Sequence, residues 1–239
     1  MHISYAIKEA AADTRPVMSL QEEKSWYQRG VAAAEWQGAS PGYLFCKRSL
    51  DLLVCFLAAP FFLVLIALCA LAIRLDSPGP IFFFQSRTGR GGHRFKMYKL
   101  RTMVKNAEEL KKEYMHLNTL SYPDFKIAND PRITRVGRFL RKTSLDELPQ
   151  IFNVFKGNMS LVGPRPTSFS SETYSLWHTA RLECKPGLTG LWQVCGRNEL
   201  DFDERVRLDI AYMRNQCMWL DMQILFRTVG AVFTGRGAN

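Results

Sequence analysis

The chain has 239 residues, 47% of them hydrophobic and 12% aromatic, enough for one sizeable core and too apolar for a disordered tail. Lys and Arg total 32 against 22 Asp and Glu, a net charge of +10, which points to acidic partners: phosphates, nucleic acid or an anionic membrane face. Six cysteines without a CxxC pair and four scattered histidines argue against a disulfide framework and against a zinc site.

Residues 1–41 hold four basic and five acidic side chains, so the basic charge belongs to the rest of the chain. The Ala-rich, mixed-charge segment 1–42 reads as a mobile arm or a surface helix. Leu52 to Ile73 then runs 22 residues without a charge, about 33 Å as a helix. A run that starts so far in and is this long argues against a cleaved signal peptide. Two readings are open, a single spanning helix and a re-entrant helix that enters and leaves the same leaflet. Length alone favours the first. Pro60 in mid-run and basic flanks on both sides (Lys47 and Arg48 before, Arg74 after) favour the second. Asp51 lies within one helical turn of Lys47 and Arg48, so the three read as neutralising charges at the interface.

Asp76-Ser77-Pro78-Gly79-Pro80 breaks the helical pattern. Residues 81–85 and 94–100 read as two strands around a Gly-rich turn, with Phe95, Met97 and Lys99 on one face of the second and Arg94, Lys96 and Tyr98 on the other. The turn lacks the Gly-Lys-Ser/Thr ending of a phosphate-binding loop and reads as a plain tight turn. Residues 104–118 read as an exposed helix. In 130–142, Asp130 suits a cap and Pro131 a first helical position, while Arg132, Arg135, Arg138 and Arg141 recur every third residue beside Ile133, Val136, Phe139 and Leu140. Such a helix lies on a membrane surface or serves only as a basic surface element.

Ser144-Leu145-Asp146-Glu147-Leu148-Pro149-Gln150 follows, two adjacent carboxylates between apolar residues. Ser144 and Glu147 spell a capping box, which would make Glu147 a helix cap and nothing more. Two Pro/Gly-stiffened loops come next, each ending in or holding an arginine: Gly163-Pro164-Arg165-Pro166, and Lys185-Pro186-Gly187 through Arg197. Arginines on rigid loops suit bidentate phosphate contacts, and a carboxylate among them suits phosphoryl transfer through an aspartate with Mg²⁺ between carboxylate and phosphate oxygens. Residues 205–233 read as one or two helices, with Trp219, Leu220, Ile224, Leu225 and Phe226 as core residues or membrane anchors.

These stretches in order resemble the bacterial sugar transferases, the monotopic polyprenyl-phosphate phosphoglycosyl transferases. The resemblance rests on Lys47-Arg48-x-x-Asp51, the apolar run with Pro60, Ser77-Pro78-Gly79-Pro80 with Phe82-Phe83-Phe84-Gln85, Tyr98-Lys99-Leu100-Arg101, Ser144 through Gln150, Gly163 through Pro166, Pro186-Gly187-x-Thr189-Gly190, and Trp219-Leu220-Asp221 with Ile224-Leu225-x-Arg227-Thr228. It covers about residues 43–239. Ala59 stands where many relatives have Ser, and Gln216-Cys217 replaces a more usual Trp-Ser.

The resemblance implies an α+β, mostly helical fold: a monotopic membrane protein with a Pro-broken re-entrant helix over 43–75 and a cytoplasmic transferase domain over 76–239, carrying a small β-hairpin and interfacial amphipathic helices. It implies transfer of sugar 1-phosphate from a UDP-sugar to undecaprenyl phosphate with release of UMP, as the first membrane step of exopolysaccharide assembly. Galactose 1-phosphate is the expected cargo, with UDP-glucose as the alternative donor. Asp146 matches the nucleophile and a Mg²⁺ ligand, Glu147 its partner, and Arg141, Arg165, Arg197, Lys99 and Arg101 phosphate or substrate contacts. The expected setting is the cytoplasmic face of the bacterial inner membrane, among its lipids. No nucleic-acid partner is expected, since stacking platforms and a helix-turn-helix are lacking. The oligomeric state is open, a homo-oligomer included. The readings from other classes are a membrane-anchored nucleic-acid binder and a non-catalytic scaffold in which the two carboxylates only cap a helix.

Overall fold

The computed structural model describes residues 38–118, 127, 129–169, 176–195 and 200–233. Most of the segment read as an arm, residues 1–37, lies outside them, as does Arg197.

Helix α1 is Pro41–Asp76, 36 residues and about 54 Å long at 1.5 Å per residue. Ser40 caps it, its Oγ accepting from Tyr43 N at 3.3 Å, and Pro41 takes a first-turn position where no intrahelical bond is lost. The helix passes through Pro60 without ending. The ring removes one N–H donor and leaves the rest of the ladder in place, so the expected break is not a break in secondary structure.

Strands β1 (Phe82–Thr88) and β2 (Arg94–Leu100) pair antiparallel, with Phe83 opposite Lys99 and Gln85 opposite Met97. The hairpin expected there is present, and its first strand is longer than the sequence suggested. Helix α2 (Ala107–Glu113) covers only part of the helix read over 104–118. Helix α3 is Arg135–Lys142, capped by Thr134, whose Oγ1 accepts from Gly137 N at 3.0 Å. Asp130 and Pro131 therefore do not start this helix. Arg132 has captured the Asp130 carboxylate, Nε donating to Oδ1 at 2.8 Å and Nη2 to Oδ2 at 2.6 Å, and both side chains are buried in the turn before it.

A 3-10 helix, Leu145–Gln150, runs directly into α4 (Ile151–Phe155). Strand β3 (Ser160–Val162) then pairs parallel with β4 (Gly187–Thr189), and another 3-10 helix, Leu176–Glu183, lies between them in sequence. Helices α5 (Leu191–Cys195), α6 (Phe202–Asn215) and α7 (Met218–Phe233) complete the chain. A capping box is present at the start of α6: Asp201 accepts from Glu204 N at 2.7 Å and Glu204 accepts from Asp201 N at 3.1 Å. In α7, Leu220 and Ile224 are buried while Trp219 and Phe226 are exposed, so the first two are core residues.

Ile66, Cys69 and Ile73 of α1 close over Leu100 of β2 and Leu140 of α3, flanked by Ile81, Val136, Leu145 and Leu148. Each such buried aliphatic side chain stabilises by about 1.5–3 kcal/mol. Nearer its start, α1 rests on α4, β3 and α7. Asp51, Cys55, Ile66, Cys69 and Ile73 share one helical face, so both halves of α1 lie on the same folded body. Its other faces are apolar and bare: Phe56 is 77% exposed and Phe61 66%.

Candidate active site

Asp146 and Glu147 occupy the first turn of the 3-10 helix. Ser144 just before it has φ 57°, a left-handed conformation that a non-glycine residue adopts at a cost, and its hydroxyl makes no capping bond. Ser144 and Glu147 are therefore not a capping box, and the reading of Glu147 as a mere cap fails. Its carboxylate reaches across the molecule instead. Lys99 Nζ donates to Oε1 at 2.8 Å, Arg165 Nη1 donates to Oε2 at 3.2 Å, and Arg165 Nη2 donates to Oε1.

Each partner is held by the fold. Lys99 sits on the face of β2 that also carries the buried Met97. Asn153 of α4, fully buried, pins that strand: its Oδ1 accepts from Tyr98 N at 3.0 Å and its Nδ2 donates to Lys96 O at 2.8 Å. Arg165 follows Gly163, which donates to Thr189 O at 2.9 Å, while Gly187 N donates to Pro164 O at 2.9 Å. A Cβ on Gly163 would lie 2.4 Å from Lys185 O, and one on Gly187 2.1 Å from Gly163 N, so only glycines let these two loops approach. Pro164 and Pro166 stiffen the residue between them.

Asp146 differs from its neighbour. Its carboxylate has no hydrogen bond among the described residues, and the nearest cation, Lys99 Nζ, stands 3.9 Å from Oδ2. Burial pushes the Asp146 carboxyl above the usual range, Lys99 opposes this, and the charge of Glu147 adds to it. Burial also disfavours ionised Glu147, but Arg165 and Lys99 outweigh it and hold that carboxyl well below the ordinary range. The Glu147 charge in turn raises Arg165. The outcome is one carboxylate fully engaged by two cations and one with free lone pairs beside them.

The other sequence candidates divide. Arg141 anchors Nε on Thr102 Oγ1 at 2.9 Å, and its charge is felt at Asp146. Arg101 is not at the site. Its guanidinium donates to Pro78 O at 3.0 Å and to Ser77 O at 2.6 Å, filling carbonyls that the breaker loop leaves without helical partners. Lys47, Arg48 and Asp51, expected as interfacial charges, all turn inward. Lys47 pairs with Asp221 at 2.7 Å, Arg48 donates to the α4 carbonyls Val154 O at 2.7 Å and Phe155 O at 2.8 Å, and Asp51 accepts from Ser160 Oγ at 3.1 Å and Leu161 N at 2.9 Å. Burial makes those partners worth more than water would be. Sequence reasoning missed Asn153, although a lone amide inside Ile-Phe-Asn-Val-Phe was a signal, and it missed Arg181 and Asp209, which carried none.

No cluster of three or more His, Cys, Asp or Glu placed to hold a metal occurs among the described residues. A Mg²⁺ ion that arrives on a diphosphate needs only one or two carboxylates from the protein, and the free Asp146 carboxylate fits that donor role while Glu147 is occupied.

A long apolar helix seated on a body whose centre is a cation-clasped carboxylate pair is a recognisable class, and comparison with known proteins names it. The family model described as bacterial sugar transferase matches residues 42–235, and the chain belongs to this family. It is 47% identical over 81% of its length to the undecaprenyl-phosphate galactose phosphotransferase of Salmonella typhimurium, covering 42% of that protein. It is 44% identical over 82% of its length to the galactosyl transferase CpsE of Streptococcus agalactiae, covering 44% of it. The UDP-glucose:undecaprenyl-phosphate glucose-1-phosphate transferase of Caulobacter vibrioides is 42% identical over 79% of this chain and 70% of its own length. The chain thus spans less than half the length of the first two.

Proposed function

We propose that this chain transfers hexose 1-phosphate from a UDP-sugar to undecaprenyl phosphate. The observation that carries the reading is the contrast inside the dyad. Glu147 is saturated by Arg165 and Lys99, and Asp146 beside it keeps its lone pairs. An Asp146 oxygen attacks the sugar-bearing phosphorus of the donor, the phosphoanhydride breaks, and UMP leaves with the bridging oxygen. The acyl phosphate left on Asp146 is then attacked by a phosphate oxygen of the lipid, which regenerates the carboxylate and yields the lipid diphosphate sugar. Lys99 and Arg165 offset charge on the phosphoryl oxygens, and the charge of Arg141, felt at Asp146, adds to theirs. Glu147 holds the two cations in place. Asp146 would hold a Mg²⁺ ion that arrives with the donor, and the ion would supply further charge neutralisation.

The reaction and its lipid acceptor are supported by the names of the relatives. Two of the three carry galactose in theirs and one glucose, and galactose is the favoured cargo here. The test is UMP release from a panel of UDP-sugars, with and without undecaprenyl phosphate and Mg²⁺. Release with UDP-galactose is expected, and no release with any donor contradicts the reading.

Helix α1 is re-entrant in this proposal and holds the body at the cytoplasmic face of the inner membrane. Support comes from its packing: a spanning helix would put its two ends in opposite leaflets, whereas Asp51 and Cys55 near one end and Ile73 near the other rest on one folded body. Cys46 is exposed at one end, and Ser77→Cys places a thiol at the other. In a Cys217→Ser background, a membrane-impermeant maleimide should reach both thiols from the cytoplasmic side and neither from outside. Labelling of the two ends from opposite sides contradicts re-entry.

A further inference from the structure

The hydrogen-bond chain that starts at Glu147 does not stop at Arg165. The carbonyl oxygen of Arg165 accepts from Arg181 Nη2 at 2.7 Å, and the same nitrogen lies 2.5 Å from Asp209 Oδ2. Arg181 comes from the 3-10 helix Leu176–Glu183 and Asp209 from the middle of α6. Both are buried, 4% and 0% exposed. A buried ion pair is seldom a source of net stability, because apolar residues of similar volume serve as well. This pair does something apolar residues cannot: it donates to the main chain of the residue whose side chain clasps Glu147.

The loop around Arg165 shows why that bond matters. Upstream, the main chain is tied to β4 through Gly163 N and Pro164 O. Downstream, Arg87 Nη1 donates to Pro166 O at 3.3 Å and Thr88 N to Thr167 O at 3.0 Å. Residue 165 itself is tied by Arg181. With a proline on each side, a shift of its carbonyl moves the whole residue, and the guanidinium fork moves with it away from Glu147.

We propose that Asp209 and Arg181 are a positioning pair for the catalytic clamp: Asp209 orients Arg181, Arg181 fixes the Arg165 carbonyl, and the Arg165 guanidinium thereby meets both oxygens of Glu147. The inference rests on the transferase reading above. Both side chains are buried away from solvent, so their effect is on the geometry in which Lys99 and Arg165 wait for the phosphoryl group.

The test compares wild-type protein, Asp209→Asn, and the double variant Arg181→Met/Asp209→Leu, in UMP release at varied UDP-sugar and in thermal melting. Asp209→Asn should lose stability and 10- to 100-fold in kcat, roughly what a displacement of about 1 Å removes, with KM within about threefold. The double variant restores apolar packing and should recover the melting midpoint while kcat stays low. Recovery of both stability and kcat overturns the proposal, since the pair would then be packing alone. A rise in KM with kcat unchanged also overturns it. If the double variant does not fold, Arg181→Lys decides: it keeps the charge for Asp209 and shortens the reach to Arg165, and wild-type kcat in that variant counts against the pair. Absence of turnover in wild-type protein defeats the transferase reading and this inference with it, an outcome distinct from an active wild type with active variants.

Discussion

At the foot of α1, Asp221 accepts from Tyr43 Oη at 2.9 Å and from Lys47 Nζ at 2.7 Å through one oxygen, and from Tyr212 Oη at 2.7 Å through the other. At the dyad, Glu147 is just as fully engaged, by Lys99 and by both ends of the Arg165 fork. Each is a carboxylate held by a lysine and further donors, with Asp221 the more deeply buried, its side chain 1% exposed against 19% for Glu147. They differ in what stands next to them. Among the described residues no second carboxylate pairs with Lys47, and the cluster is closed, whereas Glu147 is followed in space by an Asp146 whose oxygens are unspent. A saturated charge cluster fastens one element to another. One free carboxylate held against fixed cations can do chemistry.

The comparison breaks first at Asp146. Asp146→Asn should lower UMP release by about 10³-fold or more while leaving the fold intact, because it removes the proposed nucleophile and also a carboxyl that burial disfavours. Full activity in that variant would erase the distinction between the clusters. Arg165→Lys comes next. A point charge cannot reproduce the fork on Glu147, and kcat should fall by about 10- to 100-fold with a melting midpoint close to wild type. At the closed cluster the expectation reverses: Lys47→Met leaves Asp221 without its cation and should remove about 3 kcal/mol of stability by denaturant titration, while turnover per folded molecule at low temperature is unchanged.

The smallest effect concerns pH. Asp209 faces Arg181, Arg205 and Cys184, and burial pushes its carboxyl from 3.8 up to about 6 against the two arginines. The folded state therefore binds this proton more tightly than the unfolded state. The stability it contributes is present below about pH 4 and lost as pH rises through about 6. Wild-type stability should fall relative to Asp209→Asn by about 2 kcal/mol between pH 4 and pH 7 and then stay nearly level. A difference independent of pH would mean that Asp209 is not buried as a titrating group.

Much of this was legible in the chain. The apolar run, the hairpin, the two stiff arginine loops and the carboxylate pair are all local in sequence, and local spacing reports them. What was not legible is where long side chains go. Lys47, Arg48 and Asp51 read as interfacial charges because periodicity places them at the mouth of an apolar run, yet partners more than a hundred residues away capture all three. Arg101 was misplaced for the same reason: the carbonyls it fills belong to a loop whose need is visible only once α1 has ended. Ser144 read as a helix cap because residue types at i and i+3 say nothing about the sign of φ. Asp209 carried no signal in the sequence, and only its burial against Arg181 sets it apart.

The central claim is that Asp146 carries the sugar phosphate between donor and lipid. Intact-mass analysis of protein mixed with UDP-galactose and Mg²⁺, quenched in acid before any undecaprenyl phosphate is added, tests it directly. The account predicts a mass increase of one hexose phosphate in the wild type, mapping to residue 146 and lost in Asp146→Asn. A donor that releases UMP on full turnover yet leaves no adduct, or an adduct that persists in Asp146→Asn, would contradict it.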